Sequence, residues 1–225
     1  MKVCTDACLF GAWTVRHLNN SKNILDIGTG TGLLSLMIAQ KSSALVDAIE
    51  YEHESFLQAK ENITASPSSG RIRIIEGDVR DYPFKTDYDF IITNPPFFES
   101  DLHSPEQNKN LAKHSITLNL PELIHVADQV LKPPGCLAIL LPFHRSGYFK
   151  KLASKFGFYL REEMIVRQTR EHDPFRSLAI YCRVQKEPSV YTEMSIKNDG
   201  NYTDEFTFLL KDYYEDIAFR NKNQT

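Results

Sequence analysis

The chain has 225 residues, 42% of them apolar and 24% charged, a balance that supports one substantial packed domain with a short appendage and excludes a wholly disordered chain or a disulfide-stapled miniature. With 26 Lys and Arg against 29 Asp and Glu the formal charge is −3, which excludes a uniformly basic nucleic-acid coat while leaving room for a local basic patch. Four cysteines, Cys4, Cys8, Cys136 and Cys182, are too scattered for a disulfide framework or a paired zinc site and are expected to be reduced, mostly structural thiols.

Met1–Asp6 carries an acid where a secretory signal needs an apolar run, so a cytoplasmic protein is expected. No run approaches a membrane span, and the histidines lack HExxH-type spacing, so no metal is expected. The first helix should bury Leu9, Phe10 and Trp13 in the core.

From Ile24 the chain alternates. Ile24–Ile27 reads as a strand, Leu33–Gln40 as a helix, Leu45–Ile49 as a strand, Glu54–Ile63 as a helix and Ile72–Ile75 as a third strand. Tyr88–Thr93 is a fourth strand. After a long polar stretch, 94–113, come a helix over Pro121–Leu131, a turn at Lys132-Pro133-Pro134-Gly135, a fifth strand over Cys136–Leu141 and a helix over Ser146–Phe156. Phe158–Val166 and Leu178–Val184 look like paired antiparallel strands joined by the polar connection Gln168–Arg176. Strands alternating with helices imply a parallel sheet covered on both sides. A polar loop as long as 94–113 marks a substrate-facing element. Residues 1–186 are expected to form the main domain. Residues 187–225, with eight acids against four bases, should form an acidic extension packed on it with a frayed end.

The chemistry concentrates at the strand ends. Asp26-Ile27-Gly28-Thr29-Gly30-Thr31-Gly32 lies between the first strand and its helix, where glycines allow a tight turn and close approach of a nucleotide-like ligand to a helix N-terminus. Leu33 breaks the dinucleotide pattern, which needs glycine there. Glu50 ends the second strand and could accept hydrogen bonds from ribose hydroxyls, with Glu52 as the other candidate. Asp78, followed by Val79, ends the third strand and could accept from an adenine amino group. Asn94-Pro95-Pro96-Phe97 directly follows the fourth strand.

This ordered set resembles the class I S-adenosylmethionine-dependent methyltransferases, in the branch that methylates planar exocyclic nitrogens. The resemblance implies a Rossmann-like α/β fold, with a mostly parallel seven-stranded sheet, one antiparallel edge strand and helices on both faces. It also implies S-adenosyl-L-methionine as cofactor, held by Asp26, Gly28, Gly30, Gly32, Glu50, Asp78 and Val79. Asn94 and the carbonyl of Pro95 would accept the two amino hydrogens of the base, Pro96 would stiffen the loop and Phe97 would stack on the ring. Met1–Trp13, Lys113-His114, Leu140-Leu141-Pro142, Pro174-Phe175-Arg176 and Tyr202–Phe206 are similar to segments of the bacterial tRNA1(Val) adenine-37 N6-methyltransferase family, so that a tRNA substrate is implied. Methyltransferases of release-factor glutamine N5 or ribosomal guanine N2 share the Asn-Pro-Pro-aromatic run and stay open as alternatives, as does a noncatalytic nucleotide-binding module. Pro142–Arg183 carries nine bases against four acids; from it Arg170 and Arg176, with Lys113 and His114, are the candidates for RNA contact.

Overall fold

The computed structural model describes residues 4–96, 118–185 and 188–214. Strands β1 (Asn23–Ile27), β2 (Leu45–Glu50), β3 (Ile72–Glu76), β4 (Tyr88–Thr93), β5 (Leu131–Pro142), β6 (Tyr159–Arg167), β7 (Arg176–Cys182) and β8 (Val190–Ser195) form one sheet in the order β3-β2-β1-β4-β5-β7-β6-β8. Helices α1 (Thr5–Val15), α2 (Leu33–Lys41), α3 (His53–Thr64), α4 (Leu120–Val130), α5 (Phe143–Lys155) and α6 (Asp204–Leu210) cover it. A short hairpin, β9 (Lys197–Asn198) with β10 (Asn201–Tyr202), precedes α6.

Two cores follow from the period-2 alternation of the strands. Ile24, Val46, Ala48, Phe90, Ile92, Ala138 and Leu140 face a cluster shared with α1, α2, α3 and α6, whereas Leu25, Ile27, Ile49, Ile91, Leu137 and Ile139 face one built by α4 and α5. Leu9, Phe10 and Trp13 are at most 1% exposed, as their apolar bulk demanded. Helix α1 lies against α2 because residue 11 is glycine: a Cβ there would stand 2.6 Å from the Met37 sulfur.

The sheet departs from the expected seven strands in number and order. The single strand that runs against its neighbours, β7, is not at the edge but inside, antiparallel to both β5 and β6. The edge belongs to β8, an eighth strand drawn from the acidic extension and parallel to β6. Lys132–Gly135 is not a free turn either. It forms a bulge within β5, between the pairs Tyr88–Leu131 and Phe90–Cys136. Gly135 is required there, since a Cβ would come 2.7 Å from Leu131 Cγ and 2.9 Å from the Lys132 carbonyl.

The expectation of four reduced thiols is corrected in part. Cys136 and Cys182 stand opposite each other on β5 and β7 and are joined as a disulfide, with Cα atoms 4.1 Å apart, whereas Cys4 and Cys8 are thiols outside any disulfide. Spacing along the chain could not show this, because the strand pairing brings together residues 46 apart. No helix among the described residues is long and apolar enough to cross a membrane. The expected fraying of Asn221–Thr225 lies outside the described residues.

Candidate active site

All of the parallel strands end at one edge of the sheet, and the loops that leave that edge form the site. The loop after β1 turns by means of Gly28, Gly30 and Gly32, whose φ angles are +68°, +60° and +83°. An added Cβ on Gly28 would meet nothing within 4 Å. Glycine is therefore demanded by the left-handed backbone, and the surface above it stays open for a ligand.

Several bonds hold this loop. The N–H groups of Gly28 and Thr29 donate to the carbonyl of Ile49 at 3.0 and 3.1 Å, and Asn62 from α3 donates to the carbonyl of Thr31 at 2.9 Å. From below, Asp26 Oδ2 accepts from the Thr29 hydroxyl at 2.6 Å and from the Ser35 hydroxyl at 2.7 Å. Asp26 is fully buried, and that burial pushes its carboxyl up to about 6 against the two hydroxyl hydrogen bonds. Its Oδ1 has no hydrogen-bond partner among the described residues.

Glu50 and Glu52 both line the cavity but differ in what they hold. Glu52 caps α3, accepting from the N–H groups of Glu54 at 3.2 Å and Ser55 at 2.7 Å. Glu50 instead turns to the glycine loop: Oε2 accepts from the Gly30 N–H at 2.8 Å and Oε1 from the Glu52 N–H at 3.0 Å. Glu50, Asp78 and Gly28 line one cavity of about 290 Å³, together with Tyr51, Pro95 and Leu118. Asp78, after β3, is gripped by Arg80, whose guanidinium holds the carboxyl below the usual range. Val79 is buried beside it and also lines the cavity.

Asn94 follows β4 and sits between Thr93 and Pro95, both on the cavity wall. Thr93 ties β4 to β1 through a 3.0 Å bond to the Ile27 carbonyl. Asn94 Oδ1 is buried, with no hydrogen-bond partner among the described residues. A buried acceptor without a donor is costly; of this segment it is Thr93, Pro95 and Pro96, not Asn94 itself, that line the cavity. Pro96 is exposed. Phe97, Lys113 and His114 lie outside the described residues.

Sequence reasoning missed Tyr51, which is 53% exposed on the cavity rim. An exposed aromatic directly after a strand-end acid is a signal that could have found it. Arg80 was missed as well; its place two residues after Asp78 was the clue.

The two remaining RNA candidates part company. The connection 168–175 does leave the sheet at the active edge, since Arg176 pairs with Pro142 and Val166. Arg176, however, is half-buried, with Nε 2.7 Å from Asp6 Oδ2 on α1. Arg170 is exposed and lines a separate groove with Arg167, Glu193, Asp199, Asp204 and Glu205, where the acids outnumber the arginines. Among the described residues no group of three or more His, Cys, Asp or Glu is gathered for a metal ion.

Comparison with known proteins agrees with this geometry. Residues 12–164 match the family model described as the methyltransferase small domain. A tRNA1(Val) (adenine(37)-N6)-methyltransferase of Dyadobacter fermentans is 40% identical over 219 residues, covering 95% of this chain and 90% of the relative. One from Bacteroides fragilis is 38% identical over 220 residues, with 95% and 91% covered. Among solved structures, a predicted O-methyltransferase from Agrobacterium tumefaciens superimposes with a TM-score of 0.69 at 17% identity, covering 92% of this chain and 95% of its own. TrmN from Thermus thermophilus does so at 0.53 and 21%, covering 77% and 48%; at such identities the likeness concerns the fold. The family model and the relatives that match nearly end to end agree: this chain belongs to the tRNA1(Val) (adenine(37)-N6)-methyltransferase family, within the α/β Rossmann-like methyltransferases.

Proposed function

We propose that the protein transfers a methyl group from S-adenosyl-L-methionine to N6 of adenine 37 in tRNA1(Val). The observation that carries the reading is Asn94 Oδ1, a buried acceptor without a partner among the described residues, fixed at the end of β4 between the cavity-lining Thr93 and Pro95. The cofactor fits the residues present. Gly28 leaves its backbone face open, and Glu50 and Asp78 offer carboxylate oxygens on the cavity wall. Tyr51 adds an exposed ring of the kind that covers a nucleoside.

When bound, S-adenosyl-L-methionine supplies an electrophilic methyl group. The residues of the chain do the rest by positioning. Glu50 accepts from ribose hydroxyls while keeping its grip on Gly30, and Asp78 accepts from the purine amino group. The amino group of a base is a poor nucleophile because its lone pair is delocalised into the ring. Asn94 Oδ1 and the Pro95 carbonyl accept its two hydrogens and draw the lone pair back to nitrogen, and Pro95 and Pro96 keep that acceptor pair rigid. The proton lost by the product passes to solvent, so no nucleophilic side chain is needed.

The tRNA side of the reading draws support from α5. This helix starts at the active edge, carries no acid, and exposes His144, Tyr148, Lys151 and Lys155 along one side, the pairing of cations and an aromatic ring that suits a nucleic-acid strand. The reaction would take place in the cytoplasm, where its tRNA is, with residues 1–186 as the methyltransferase domain and the extension packed against it. The test is methyl transfer onto fractionated tRNA followed by nucleoside analysis. N6-methyladenosine at position 37 of tRNA1(Val) is expected; a methyl group on guanine N2 or on a protein glutamine would reject the assignment.

A further inference from the structure

Arg80 is fastened at both ends. Its backbone N–H donates to Asp78 Oδ1 at 2.9 Å, its Nε is shared between Oδ1 at 2.9 Å and Oδ2 at 3.0 Å, and its Nη2 donates to Oδ2. At the other end, Nη1 lies 3.4 Å from Glu122 Oε1 in the first turn of α4. Glu122 is itself held in a capping box: its Oε2 accepts from the Asn119 N–H at 2.9 Å, and Asn119 Oδ1 accepts from the Glu122 N–H at 2.9 Å. Asp78, Arg80 and Leu118, the neighbour of Asn119, all line the cavity. The side chains of Arg80 and Asp78 are only 25% and 22% exposed, so the pair is part of the cavity wall and not a solvated surface contact.

An ionised carboxylate offers about four acceptor positions. Arg80 brings three N–H groups to Asp78 in four contacts, two on each oxygen, and because the Nε contact is shared between the oxygens a further donor can share one of them. A guanidinium fork also fixes the plane of the carboxylate it binds, which a lone lysine cannot do. Resting on the reading of this cavity as a nucleoside site, we propose that Arg80 is a positioning and specificity-determining residue. It keeps Asp78 as an acceptor-only group in a fixed plane, so that the cavity selects a purine bearing an amino group at C6 over one bearing a carbonyl. A carbonyl oxygen placed against that carboxylate gains no hydrogen bond and meets like partial charge.

The probes are S-adenosylhomocysteine and S-inosylhomocysteine, which differ by that amino-to-carbonyl exchange, titrated calorimetrically into the full-length protein. The wild type should prefer the adenosyl form by at least about tenfold. In Arg80→Met the preference should fall about tenfold, and in Arg80→Lys, which keeps the charge but not the fork, by less. Asp78→Ala should lose the preference, and adding Arg80→Met to it should cost nothing further, because Arg80 acts through Asp78. In transfer assays Arg80→Met should raise KM for the cofactor while kcat stays near wild type. Equal weakening of both probes in Arg80→Met, or losses that add in the double variant, would make Arg80 a structural strut and overturn the inference. If the wild type binds neither probe, the reading of the cavity itself falls and takes this inference with it. Selective wild-type binding with selectivity intact in Arg80→Met removes the inference alone.

Discussion

The two sides of the active edge are finished to different degrees. On the β1–β3 side the chain supplies partners for its own carboxylates: Glu50 holds Gly30, Asp78 holds Arg80, and Asp26 takes two hydroxyls on one oxygen while its other oxygen has no partner among the described residues. On the β4 side, Asn94 presents a buried acceptor whose donor is absent among the described residues. A buried acceptor thus lacks a partner among the described residues on both sides, Asp26 Oδ1 and Asn94 Oδ1; the sides differ in that the rim carboxylates of the first, Glu50 and Asp78, already hold groups of the chain itself.

The sharpest way to break that contrast is Asn94→Ala. Methyl transfer should fall by roughly two to three orders of magnitude, the scale for removing one preorganised hydrogen-bonding group from a reacting centre. Cofactor affinity should hold. Stability in denaturant melts should not decrease, because the variant removes an unpaired buried acceptor. A clear loss of stability would mean that the acceptor is already satisfied in the ligand-free protein.

On the other side, Asp26 gives a pH signature. Its carboxyl is pushed up to about 6 in the folded chain from an ordinary value of 3.8, so between those values the folded state holds a proton that the unfolded state has lost. Stability from this group is full below about pH 4 and is lost as pH rises to about 6, an effect of about 3 kcal/mol. The difference in unfolding free energy between wild type and Asp26→Asn, measured across that range, should shrink by that amount at low pH relative to neutral if the aspartate is penalised only when ionised. A pH-independent difference would show that Asp26 is ionised throughout.

Glu50 and Glu52 sharpen the comparison within a single turn. Glu50→Ala should weaken S-adenosylhomocysteine binding by roughly 1.5 to 3 kcal/mol. Glu52→Ala should leave binding alone and cost about 1 kcal/mol of stability through removal of the α3 cap. Calorimetry and melts on the two variants decide the matter; reversed results would reassign the ribose acid. The smallest effect belongs to RNA. Lys151→Gln with Lys155→Gln should lower the log-log salt slope of tRNA binding by about 0.7 to 0.9 for each phosphate no longer neutralised. Arg176→Ala should act on stability instead, through the severed bond to Asp6. An unchanged slope in the lysine variants would take α5 out of the interface.

Much of this architecture is legible in the chain because it is local. Strands β1 to β5 each carry a short apolar run, and the turn after β1 is written in glycines. What the sequence hides is non-local. Val190–Ser195 alternates weakly and reads as acidic extension, and only its pairing with β6 makes it a strand. The excess of bases around Arg176 is real, yet counting charges cannot show that an aspartate 170 positions earlier holds it. The choice between Glu50 and Glu52 turns on which carboxylate the helix start consumes, and that depends on side-chain direction. Phe97, Lys113 and His114 carry expectations that stay with the sequence.

Strand β8 has a consequence for how the protein is made. Until the ribosome has added residues 190–195, β6 is the last strand of the sheet and presents a bare row of amide and carbonyl groups along the side where β8 will lie. A nascent chain in that state can recruit a foreign strand as readily as its own. The loops at the active edge are all encoded earlier, so the last strand covers the β6 edge only late in synthesis and takes its place as the edge of the sheet.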